Sequence, residues 1–223
     1  MLRIIIVAML FLFITIPSFA VEGPKNEDEK TLYAIGLTVA RSLSVFNLSP
    51  AELEHVKQGI TDAVEGKKPA VDLADYTGKV QELARARRKA QGEKAAAAGK
   101  EFLEKAAGEK GAVKTDSGMV YQSLKDGSGA SPTATDTVKV NYRGTLVDGK
   151  EFDSSYKRGT PAEFRLDGVI KCWTEGLQKM KEGGKARFVC PSTLAYGDAG
   201  AGELILPGST LNFEVELLEI KKK

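Results

Sequence analysis

Histidine occurs once in the 223 residues, at His55, and cysteine twice, at Cys172 and Cys190. With His55 in a different segment from both cysteines, no Cys/His metal cluster is apparent, and Ser154 and Ser155 have no histidine partner for nucleophilic catalysis. Basic and acidic residues nearly cancel, 32 against 30, for a formal charge of +2, which leaves no broad electrostatic footprint for nucleic acid. No heptad run or internal repeat supports a rod. Aromatics make up only 7% of the chain, with a single tryptophan. Five of these scarce rings, Tyr142, Phe152, Phe164, Trp173 and Tyr196, fall in one stretch of the back half. That concentration points to an apolar pocket as well as a core, the usual form of a small-ligand or peptide site.

Residues 1–20, MLRIIIVAMLFLFITIPSFA, set Arg3 before an apolar run and end in Ser18-Phe19-Ala20, where a signal peptidase needs small residues. A cleaved signal peptide is expected, with the mature chain starting at Val21. The alternative, an uncleaved anchor, must contend with a run short of about 20 residues and with Pro17 near its end. No cysteine follows the run, so a lipid anchor is not indicated. In an exported protein Cys172 and Cys190, 18 positions apart, permit one disulfide; two buried thiols are the other reading.

The remaining length suits one medium domain or two small ones. Its front half is helical in pattern. Over 27–46, Leu32, Ile35, Val39, Leu43 and Phe46 recur at helical spacing behind acidic residues in the first turn. Ser49-Pro50 reads as an N-cap and first helical position opening a second helix through Leu53, Val56, Ile60 and Val64, ended by Gly66 and Pro69. These stripes can cover little area alone, so 21–72 is expected to pair with a second copy; a small monomeric cap is the alternative. From Leu73 to about Ala107 runs a third pattern rich in Ala, Glu, Lys, Arg and Gln, about 50 Å long if continuous, which suggests a spacer over 73–111. Gly92 and Gly99 argue for breaks within it, each costing about 1 kcal/mol in a helix interior. The cluster Arg85, Arg87, Arg88 and Lys89 reads there as a solvated helix face.

Beyond Gly111 the texture changes to alternating, turn-bounded strands at 119–124, 137–142, 185–190 and 211–220, with one short helix after Gly168. A single helix against a curved antiparallel sheet buries both apolar faces, so the chain is classed as α+β, with the strand-rich domain over 112–223.

The segments VNYRGTL, DGKEFDSSY, FRL, GVIKCW, LAYG and TLNFEVELL, in this order, resemble the FKBP-type peptidyl-prolyl cis-trans isomerases over roughly 112–220. The leader, helical module and long helix ahead of them resemble the exported macrophage infectivity potentiator (Mip)-like and FkpA-like group. The resemblance implies Tyr142, Asp153 and Tyr196 as catalytic groups. It implies Phe152, Phe164, Val169, Ile170, Trp173, Ile205 and Phe213 as the substrate-binding lining, with Trp173 as floor, the Ile170 N–H and Tyr196 hydroxyl as donors, and no cofactor. It further implies X-Pro isomerisation without covalent chemistry on proline-containing unfolded or partly folded polypeptides, chaperone activity, a homodimer through the N-terminal helices, and binding of FK506-like macrolides. The expected location is the periplasm, or else the outer membrane or cell surface after export. A catalytically weak FKBP-fold chaperone or peptide-binding protein is the runner-up. Cys172 stands where the family commonly has glycine, and the loop 197–207 lacks the family's adjacent prolines.

Overall fold

The computed structural model describes residues 23–222; the leader expected at 1–20 lies outside them. The chain divides into two units, with the boundary between Ser42 and Leu43. The described part of the first holds helix α1, Glu27–Ser42. Asn26 starts it by accepting the Glu29 N–H on its side-chain oxygen at 2.8 Å. No residue of α1 is buried, and Leu32 remains 67% exposed.

The helix expected to run to Phe46 ends earlier, because the chain beyond Ser42 turns. Ser44–Phe46 is a single 3-10 turn, and Asn47 adopts a left-handed conformation with φ 45°. Pro50 then forces Ser49 into extended backbone, from which α2, Pro50–Val64, begins. Ser49 and Glu52 form a reciprocal capping box there. Glu52 also meets Arg87 of helix α3, Leu73–Ala107. The Arg87 hydrogen bond, followed by those from Ser49, holds the Glu52 carboxyl down at about 2. Arg87 also donates to the Phe46 carbonyl at 3.2 Å, and Gln91 donates to that of Val45 at 3.1 Å, fastening the turn to α3.

Seven antiparallel strands follow: β1 Ala112–Lys114, β2 Val120–Lys125, β3 Thr137–Leu146, β4 Glu151–Ser154, β5 Ala162–Arg165, β6 Lys185–Cys190 and β7 Leu211–Lys221. Their order is β1-β2-β6-β7-β3-β4, with β5 also on β3. β3 is the organising strand. One edge pairs with β7 along its length, and the other takes β5 at Thr137–Val140 and β4 at Arg143–Thr145. The alternation of β3, β6 and β7 sends Val138, Val140, Tyr142, Phe188, Phe213, Val215 and Leu217 to one face. Helix α5, Lys171–Gln178, packs there through Cys172, Trp173 and Leu177.

The opposite face has its own cover. Val120 and Val189 point away from α5 and meet Phe102, Leu103 and Ala106 of α3. The long helix is therefore more than a spacer, since its C-terminal half docks on the sheet domain. The two glycines that argued against a continuous helix explain how it does so. A Cβ on Gly99 would stand 2.4 Å from the Thr210 hydroxyl, and one on Gly92 would stand 3.0 Å from Pro207. Both are buried, and their lack of a side chain permits the close approach.

Cys172 and Cys190 are bonded, with Cα atoms 5.8 Å apart, and both are fully buried. The bond ties α5 to the end of β6. Replacing both cysteines by alanine should lower stability by about 3 kcal/mol on loop-closure grounds, read as a lower urea midpoint; an unchanged midpoint would show that packing alone seats α5.

Candidate functional site

The sheet and α5 together shape a cavity of about 320 Å³. Trp173, in the first turn of α5 and 4% exposed, is its centre. Tyr142 from β3, Phe164 from β5 and Phe213 from β7 stand with ring centroids 5.0, 5.4 and 5.4 Å from the indole. Their planes make angles of 87°, 84° and 81° with it, an indole floor with three upright walls. Phe152 extends the wall by meeting Phe213 at 5.5 Å and 90°. That contact needs Gly144 between them, because a Cβ there would lie 2.6 Å from the Phe152 ring. Edge-to-face pairs add about 0.5–1.5 kcal/mol each beyond burial, so the walls hold one another upright.

A gap in the sheet builds the polar side. Between the β5 and β4 pairings of β3, the outer edge is open at Asn141 and Tyr142. The buried Ser155 hydroxyl fills it, accepting the Tyr142 N–H at 2.9 Å and lying 3.2 Å from the Asn141 side-chain oxygen. The chain after β4 accordingly leaves the sheet as the single turn α4, Ser155–Arg158, which returns Arg158 toward the cavity. Tyr142 donates its hydroxyl hydrogen to Asp153, while Arg158 donates to that hydroxyl at 2.7 Å and to the Asp153 carboxylate. Ser154 adds its N–H to Asp153 at 2.8 Å. Burial pushes the Asp153 carboxyl up, but the bonds from Tyr142 and Arg158 outweigh it and hold the group below its ordinary value. Burial and the Asp153 bond raise the Tyr142 phenol. At neutral pH the site therefore presents a fixed carboxylate beside a neutral phenol.

Val169 and Ile170 reach the cavity from the residues before α5, and Tyr196 from the loop after β6. The Ile170 carbonyl accepts the Trp173 and Thr174 N–H groups at 2.9 and 3.2 Å. Its own N–H meets no acceptor among the described residues, nor does the hydroxyl of the 40% exposed Tyr196 find a partner there. Of the ten residues singled out in sequence for catalysis and binding, nine line this cavity. Ile205 does not. It is buried in the main core, where its N–H and carbonyl pair with Ala201 across a tight turn. Sequence reading missed Arg158, whose only local signal is a cation five residues after Asp153, and Ser155, which was considered solely as a nucleophile. Among the described residues no group of three or more His, Cys, Asp or Glu is placed to hold a metal ion.

The profile described as FKBP-type peptidyl-prolyl cis-trans isomerase matches residues 128–218, and that of the domain amino terminal to it matches 28–122. The chain is 44% identical over 210 residues to the FKBP-type peptidyl-prolyl cis-trans isomerase FkpA of Escherichia coli K12, covering 88% of this chain and 77% of that one. It is 48% identical over 124 residues to the macrophage infectivity potentiator of Trypanosoma cruzi, covering 55% and 63%. The crystal structure of FkpA from Escherichia coli aligns with a TM-score of 0.68 at 42% identity, covering 88% of this chain and 98% of that one.

Arg158→Ala should raise the Asp153 pKa, since burial would then be opposed by the Tyr142 and Ser154 bonds alone. In the wild type, the stability Asp153 contributes is present above its unfolded pKa and lost as pH falls through the depressed folded value. The substitution moves that loss to higher pH. Carboxyl carbon NMR titration reads it directly, and an unmoved midpoint would mean that Arg158 does not hold the carboxylate.

Proposed function

Because this chain belongs to the FKBP-type peptidyl-prolyl cis-trans isomerase family and is an enzyme of that activity, we propose that the X-Pro bond of a substrate polypeptide turns in the aromatic cavity around Trp173, without covalent participation by the protein. The arrangement that carries this reading is the indole floor with three rings standing on it. A proline ring is compact and apolar, the kind of group such a cavity accepts. The bond before it resists rotation by about 20 kcal/mol because twisting breaks amide resonance. Partial relief comes from any site that binds the twisted amide more tightly than either planar isomer.

Each group has a part in that difference. Trp173, Phe152, Phe164, Val169 and Phe213 hold the ring and exclude water, which favours a twisted amide that is less polar than the planar one. The free Ile170 N–H and Tyr196 hydroxyl supply donors to substrate carbonyls. Asp153 and Tyr142 form the polar side, fixed by Arg158, so that the carbonyl on the rotating side meets an oriented field and not mobile water. Ile205 supports the loop that carries Tyr196. The same apolar cavity and donors suit FK506-like macrolides.

The substrates we assign are proline-containing, unfolded or partly folded polypeptides in the periplasm, or at the cell surface after export. The apolar run at 1–20 supports export, and no helix among the described residues is long and apolar enough to cross a membrane. A homodimer through 21–72 is supported by α1 and α2, which expose Leu32, Ile35, Val39, Leu53 and Ile60 at helical spacing and bury no residue. Joined in this way, two isomerase domains offer one client two sites at a raised effective concentration, which is the basis for chaperone activity.

A protease-free cis-to-trans assay on an X-Pro peptide tests the site. Tyr196→Phe should lower kcat/KM roughly fivefold, the worth of one neutral hydrogen bond, and an FK506-like macrolide should block the rate. Full activity in both Tyr196→Phe and Asp153→Ala would place the reaction elsewhere.

A further inference from the structure

The four cations Arg85, Arg87, Arg88 and Lys89 are one cluster in the sequence and two sets in the structure. Arg87 turns to Glu52 and the Phe46 carbonyl. The other three, spaced i, i+3 and i+4, share another face of α3 and line a groove of about 480 Å³ between that helix and the loop at Asp198, Ala199 and Pro207. Among the described residues none of the three is in an ion pair, and Arg88 makes only a long hydrogen bond, 3.4 Å, to the Ala199 carbonyl. Like charges at this spacing repel. Arg87, by contrast, is paired with Glu52 across to α2. Glu93 and Asp198 also border the groove but leave the cations in excess.

The groove and the aromatic cavity draw on one loop. Tyr196 lines the aromatic cavity and Asp198, two residues along the same loop, lines the groove. Two residues of chain span about 7 Å at most, which puts the groove within reach of a few residues flanking a proline seated beside Tyr196. We infer that this groove binds the acidic flank of the same polypeptide whose X-Pro bond occupies the aromatic cavity, so that α3 contributes substrate preference to the catalytic domain. The inference rests on the aromatic cavity being the isomerase site.

The test uses full-length protein and peptides sharing one X-Pro core. A run of four glutamates starts three residues after the proline in one peptide and ends three residues before it in another; matched peptides carry glutamine. One glutamate peptide should show a KM roughly two- to fivefold below its glutamine match for each exposed ion pair engaged, and high salt should erase the difference. In Arg85→Gln/Lys89→Gln, whose changes sit at exposed helix positions, the pair should become equal; Arg88→Gln provides a second variant. Equal KM values in the wild type, or a preference that survives both variants, would overturn the inference. If no peptide is accelerated, the isomerase reading itself fails, and anisotropy of the labelled glutamate peptides then decides the groove alone: charge-dependent binding lost in the variants supports it, and no binding overturns it. Capture of anionic phosphatidylglycerol vesicles through the same cations, with no peptide preference, would reassign the groove to a lipid surface and likewise overturn it.

Discussion

The seating of Trp173 is the contact on which the rest depends. A large ring in the first turn of a two-turn helix has little local support, because a helix of eight residues is marginal by itself. Its position comes from outside: the Cys172–Cys190 bond next to it in sequence, the apolar face of β6 and β7 beneath, and three rings set at near right angles around it. Since those rings come from β3, β5 and β7, the cavity exists only when the sheet is closed around the helix. The residues that form the site are thus also the residues that complete the core. Tyr142, Trp173 and Phe213, each 4% exposed, serve as both.

The polar side is built by the opposite device, an interruption of regular pairing. A continuous partner along the outer edge of β3 would have consumed the Tyr142 N–H and left no reason for the chain to leave the sheet at Ser155. With the serine hydroxyl standing in for a strand, α4 brings a cation back to a carboxylate and a phenol, and the three fix one another. Burial raises the pKa of Asp153 while its hydrogen bonds lower it, and the net direction keeps the charge on.

Much of this was readable from residues, and the failures have physical causes. The span of α3 follows from composition, and the N-cap of α2 from Ser49-Pro50. The long strands β3, β6 and β7 alternate cleanly and declare themselves. β1, β4 and β5 have three or four residues each, too short for any period, and were not read as separate strands. The breaks that propensity allowed at Gly92 and Gly99, the alternative to a continuous helix, do not occur, because tertiary contact with Pro207 and Thr210 overrides that preference. Nine of the residues that line the cavity came from an ordered family motif. Arg158 did not, because one arginine in a polar turn looks like any solvated charge until the fold returns it to Asp153.

The chain has a single tryptophan, which makes its floor directly observable. Intrinsic fluorescence should be titrated with an X-Pro peptide under the conditions of the isomerase assay. A saturable change whose half-point agrees with that from inhibition or rate measurements is the result expected if proline sits on Trp173. Saturating catalysis with an unperturbed indole signal would contradict the central claim and move the reaction away from the aromatic cavity.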